Sequence, residues 1–283
     1  MSADFFLPYE FSPAVLVLCL GGLVFYLRGL YLAPVKPGFG RVISFTIGVL
    51  LMYVVMQTRY DYWSQHMFFV HRLQHLVLHH LGPFLIALSG PGAVLGLGTP
   101  GLLRRALAAV WHRPLTQRCY RIVQQPAIAG LLFVGLIYFW LVPGIHFYAM
   151  LSRPLYALMN WSMAVDGLLF WWMIMHGWPG AQHSSRPYGW RILVLFLITL
   201  PQIAIGAYIA LCGKSLYSIY AVCGRIWPIP AATDQQLGGL ITWIPASMMS
   251  LFGMLVVLHQ LLHAEKRTHD DLPASSHVLS VSS

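Results

Sequence analysis

Hydrophobic residues run through this chain in long blocks rather than in short alternating or 3.6-periodic segments. Seven blocks, near 12–32, 41–58, 65–89, 126–143, 157–176, 191–212 and 238–262, approach the roughly 20 apolar residues a helix needs to cross a bilayer. Backbone polar groups find no partner in hydrocarbon, so spans of this kind are helical. The pattern predicts an all-α polytopic membrane protein, a seven-transmembrane-helix bundle over residues 1–263. After it comes a polar, small-residue tail over 264–283, expected to lack fixed structure.

The intervening segments differ in charge. PVKPGFGR, PGLLRRALAAVWHRPLTQRCYR and QHSSRPYGWR are basic, and with Arg28 and the chain's C-terminal end they hold twelve Lys and Arg. The opposite side holds Arg59, Arg153, Lys214 and Arg225. The positive-inside rule then places the N-terminus outside and the C-terminus in the cytoplasm. LLRRALAAV within the longest basic connection reads as an amphipathic helix lying on the membrane surface.

Composition agrees. Of 283 residues 58% are hydrophobic and 9% charged, against about a quarter charged in a soluble domain. The net charge of +9 follows the topology and forms no compact basic patch with interleaved aromatics, so no nucleic-acid partner is indicated. Cys212 and Cys223 flank the last outer connection, where an oxidising compartment would permit a disulfide. Cys19 and Cys119 read as structural thiols.

Against this apolar background the third block, HMFFVHRLQHLVLHHLGPFLIAL, carries five histidines. A buried imidazole is costly unless it is paired, hydrated or bound to something. Helical spacing puts Met67, His71, Gln74, His75 and Gly82 on one stripe, with His80 nearly opposite and His79 at the edge. His66 stands at the outer end. In the fifth block Met159, Met163 and Asp166 share a face, and Asp166 lies about 13 Å below that helix's start, near the level of His71 and His75. An intramembrane carboxylate calls for a named partner, and an imidazole of the third helix is the expected one. Asp234, at the entry to the last span, is a candidate cap for that helix.

Imidazole and thioether without thiolate form a donor set suited to Cu(I). The ligand set this predicts is His71, His75, Met67, Met163, Met159 and His66, with Asp166 orienting an imidazole. Two other readings use the same residues. Histidines facing one another across a bundle can hold haem in a membrane oxidoreductase, and Asp166 with Arg72 can mark the path of a copper or proton transporter. His259 and His263, with Met248 on the same face of the last span, would then serve as an inner exit.

The runs HRLQHLVLHHLGPFLIALSGP, MNWSMAVDGLLFWW and DQQLGGLITWIPASMMSLFGMLVVL resemble the multi-spanning CtaG family of cytochrome c oxidase assembly factors, over about residues 40–262. The resemblance implies a non-enzymatic metallochaperone of the bacterial inner membrane that helps copper reach the CuB site of a haem–copper oxidase. Its partners would be oxidase subunits and a periplasmic copper donor. The family's paired histidines fall on His71 and His75. Where the family often has histidine in the fifth helix this chain has MNWSMAVDG, so Met159, Met163 and Asp166 stand as substitutes.

Overall fold

The computed structural model describes residue 8, residues 10–176 and residues 187–270. Every regular element among them is helical. Helix α1 is Pro13–Leu32, started by Ser12, whose hydroxyl accepts from Val15 N, and by proline at its first position. Helix α2 is Phe39–Gln57. Thr58 then caps a short polar helix, α3, Arg59–His66, by accepting from Tyr60 N. The third block follows as α4 (Phe68–Leu76), a π-helical turn (Val77–Leu81) and α5 (Gly82–Ser89). Past Gly90, α6 (Gly92–Gly98) is bent 76° away from it.

Two exposed helices, α7 (Gly101–Trp111) and α8 (Pro114–Val123), occupy the predicted surface connection. Then come α9 (Pro126–Leu141), α10 (Pro143–Leu151), α11 (Arg153–His176), α12 (Pro187–Leu211), α13 (Ile219–Val222) and α14 (Ala231–Asp270). Proline opens α8, α9 and α10, where its missing N–H costs nothing.

Each of the seven hydrophobic blocks lies on a helix. Four of these, α1, α2, α12 and α14, are long and apolar enough to cross a membrane, and two bent pairs bring the number to six. Helix α11 has 24 residues, about 36 Å at 1.5 Å per residue, but polar Asn160 and Asp166 interrupt its apolar character and it is not among the six. Helix α14 continues to Asp270, seven residues into the segment expected to lack fixed structure; residues 271–283 lie outside the described residues. Cys19, Cys119, Cys212 and Cys223 are all free thiols, so the connection between α12 and α14 is not closed by a disulfide.

Small residues let α12 and α14 approach closely. A Cβ on Gly206 of α12 would stand 2.6 Å from Trp243 Cβ of α14, and one on Gly239 would stand 2.5 Å from Ala210 N. Such backbone proximity replaces the hydrophobic drive that is absent between helices in lipid. The first turn of α14 also anchors α4. Asp234 does not cap its own helix; its carboxylate accepts from Phe68 N at 3.1 Å and Phe69 N at 2.9 Å and pairs with Arg225. Met67 is extended (φ −139°, ψ 126°) and offers α4 no side-chain cap, so a carboxylate from elsewhere satisfies those orphan donors.

Candidate functional site

Met67 divides the third block. Its extended backbone ends α3, so His66 belongs to a different helix from the other four histidines of the block. The His66 ring packs on Tyr62 at 4.2 Å, and its Nδ1 donates to Tyr62 O. The expected stripe therefore begins at Met67, which is fully buried.

On α4 the stripe holds. His71, Gln74 and His75 are buried, and the rings of His71 and His75 lie 4.4 Å apart. Helix α10 adds His146, whose ring stands edge-on to His71 at 5.1 Å. His146 is internally satisfied, donating from Nδ1 to Trp140 O and accepting at Nε2 from Tyr220. His71 is not: neither of its ring nitrogens has a hydrogen-bonding partner. His75 Nε2 donates to Asn160 Oδ1 of α11 at 3.2 Å, leaving Nδ1 without a partner.

The π-helical turn changes the lower half of the picture. Pro83 lacks the N–H that would bond His79 O, and the indole Nε1 of Trp171 on α11 takes that carbonyl at 3.2 Å. Gly82 N reaches back five residues to Val77 O. The wider turn brings the His79 and His80 rings to 5.0 Å from each other, both buried. His80 is thus enclosed by protein, not turned away from the other histidines as the straight-helix periodicity implies. His79 Nε2 donates to Asp166 Oδ2 at 3.0 Å, and His80 Nε2 faces Gln202 Oε1 at 3.4 Å. In both rings Nδ1 has no partner.

Asp166 therefore has the imidazole partner expected of it, but that partner is His79, a turn deeper than His71 and His75. Gly167 permits the contact, because a Cβ there would fall 2.5 Å from His79 O. Arg72 bonds Thr242 Oγ1 through Nε at 2.9 Å, not Asp166.

His75, His80 and Met163 line one small cavity with Arg72 and Thr242. Its volume, about 10 Å³, holds about one water-sized occupant. Met163 is the one predicted thioether on that wall. Met159 is fully buried within an apolar cluster that includes Phe68, Tyr156 and Tyr220. Among the described residues no three or more His, Cys, Asp or Glu side chains gather as a metal-binding group. The donors present are imidazole nitrogen and thioether sulfur. Three of the imidazoles share one arrangement: Nε2–H directed at an oxygen acceptor, which fixes the tautomer, and a lone pair left on Nδ1. Outer acceptors prepare metal-binding histidines in this way.

Asp61 is a buried carboxylate that the hydrophobic pattern does not mark. Its carboxylate accepts from Tyr156 at 2.7 Å, Gln74 Nε2 at 2.9 Å and Gln65 Nε2 at 3.0 Å. It lies on α3, outside the candidate spans, and burial raises its pKa to about 6 despite these donors. Thr58 followed three residues later by Asp61 is the usual signature of a helix start, and it marks the start of this carboxylate's helix. At the other end of the bundle, the His259 and His263 rings lie 4.2 Å apart, and Met248 is half exposed on the same helix.

A helical membrane protein whose interior holds a column of buried, partly unpartnered imidazoles is the class these features define. Within that class, residues 24–264 match the family described as cytochrome c oxidase caa3 assembly factor, and the chain belongs to it. Two proteins of Mycobacterium bovis and Mycobacterium tuberculosis, both described as uncharacterised, are each 24% identical over 243 residues, covering 81% of this chain. The chain spans about a third of the length of those relatives, 35%. No solved structure matches it.

Proposed function

We propose that this assembly factor is a non-enzymatic copper chaperone, binding Cu(I) within the bundle and passing it to the CuB site of a haem–copper oxidase in the same membrane. The observation that carries the reading is His71: fully buried, with both ring nitrogens lacking a partner, beside His75, which keeps one nitrogen free. Leaving such groups unsatisfied costs about 1–3 kcal/mol each, a cost a bound cation offsets. His71 and His75 supply nitrogen. Met163 and His80 meet His75 across the shared cavity, and Met67 and Met159 are the nearby thioethers. Asp166 acts at one remove by fixing the His79 tautomer.

Neutral soft donors suit a monovalent ion, and Arg72 on the cavity wall disfavours a divalent one. The membrane is the bacterial cytoplasmic membrane, crossed seven times with the N-terminus outside, so the α3 end of the bundle faces the side on which a periplasmic copper donor would arrive. Oxidase subunits are the recipients. The test is oxidase from a deletion strain carrying either the wild-type gene or the His71→Ala, His75→Ala double variant at equal membrane abundance. The proposal expects oxidase deficient in CuB but retaining haem with the double variant. Full CuB occupancy with the double variant would leave only a scaffold for oxidase subunits.

A further inference from the structure

Among the described residues, the end of the bundle that carries α3 is not closed. A cleft of about 190 Å³ opens there, lined by Glu10, Met56, Asp61, Arg153, Tyr156 and Asn160 among others. Its inner wall is continuous with the buried histidines through two side chains. Asn160 is the residue that accepts from His75 Nε2, and the Tyr156 ring lies 6.1 Å from His71. The lining is also chemically uneven. Two carboxylates, Glu10 and Asp61, face one cation, Arg153, and a single thioether, Met56, stands among them. Arg153 Nε pairs with Glu10 Oε2 at 3.0 Å, with side chains 71% and 38% exposed. A pair so wet is worth little and parts readily.

Resting on the reading of His71 and His75 as Cu(I) donors, we propose that this cleft is the port by which the cation enters. The exposed Glu10–Arg153 pair lies nearest solvent, and behind it the cation meets Met56 and the buried Asp61. Carboxylates lower the energy of a cation leaving water. The thioether gives a soft ion a protein ligand before it reaches the imidazoles. Tyr156 and Asn160 then separate the cleft from the histidines by one side-chain layer, so their rotation completes the passage.

The test uses the full chain with Cys19, Cys119, Cys212 and Cys223 replaced by serine and Ala157→Cys introduced. Ala157 is exposed on the cleft wall. After folding, one sample is capped with a methyl thiosulfonate and another with a bulky trimethylammonium thiosulfonate. Uptake of Cu(I) from a coloured chelate is then followed in each. The bulky cap is expected to slow uptake at least tenfold while the methyl cap leaves it unchanged, and Leu262→Cys at the opposite end is expected to show no difference between caps. Equal rates with the two caps at Ala157→Cys would overturn the port. No uptake by the methyl-capped protein beyond a His71→Ala, His75→Ala control would instead overturn the copper reading, and the port with it. Met56→Leu, unmodified at the cleft, is expected to slow uptake severalfold at unchanged final occupancy.

Discussion

Replacing Gly167 by alanine introduces one methyl group where α11 meets the π-helical turn. An added Cβ would lie 2.5 Å from His79 O, 2.9 Å from His79 Cα and 3.0 Å from His79 C. These are backbone atoms, which cannot swing aside as a flexible side chain can, so the two elements must separate. Two interactions span the same gap, Asp166 with His79 Nε2 and Trp171 Nε1 with His79 O. Overpacking costs about 1–3 kcal/mol and the two weakened hydrogen bonds about 1 kcal/mol each, while alanine's helix propensity returns about 1 kcal/mol, so Gly167→Ala is expected to lose about 2–4 kcal/mol. Equilibrium unfolding in mixed micelles, followed by tryptophan fluorescence, measures it. Gly135→Ala on α9 is the control. A Cβ there meets nothing within 4 Å, and alanine's helix propensity makes a change between zero and a gain of about 1 kcal/mol the expectation. A Trp171→Phe background should reduce the Gly167→Ala cost, because the indole bond is already gone. If Gly167→Ala and Gly135→Ala prove equally benign, the close packing of the π-helical turn on α11 is wrong, and so is the role given to Asp166.

The other predictions test separate parts of the account. Asp234→Ala strips Phe68 N and Phe69 N of their acceptor and leaves Arg225 unpaired; it should cost about 1–2 kcal/mol as a lost cap, with faster amide exchange at the start of α4. Asp61 has a folded-state pKa of about 6, above the usual carboxylate value, so its contribution to stability is greatest below about pH 4 and falls as pH rises toward 6. Unfolding midpoints across that window should flatten in Asp61→Asn, and an unchanged slope would contradict the assignment. Tyr220→Phe removes the donor to His146 Nε2 and should destabilise by about 1 kcal/mol without changing Cu(I) stoichiometry.

Much of this architecture was legible because it follows from local rules. Long apolar blocks place the helices, and helical spacing puts Met67, His71 and His75 on one buried stripe. The family follows from the runs beginning at His71, Met159 and Asp234. What escaped depends on interruptions and on distant partners. Pro83 removes one backbone donor and opens a wider turn upstream, which rotates His80 into the protein and moves His79 to Asp166. Met67 adopts an extended conformation that nothing in its own side chain demands, and this separates His66 from the rest. Asp234 satisfies a helix more than 160 residues away along the chain. Asp61 sits in a polar stretch between hydrophobic blocks, where a reading concerned with intramembrane acids does not look, yet folding buries it beside Tyr156 and Gln74.

Copper stoichiometry under reducing conditions, combined with X-ray absorption on the purified full-length protein, probes the unpartnered imidazoles most directly. The account predicts a bound Cu(I) with nitrogen and sulfur neighbours, lost in the His71→Ala, His75→Ala variant while the fold persists. Cu(I) bound equally by wild type and variant, or absent from both, would contradict it.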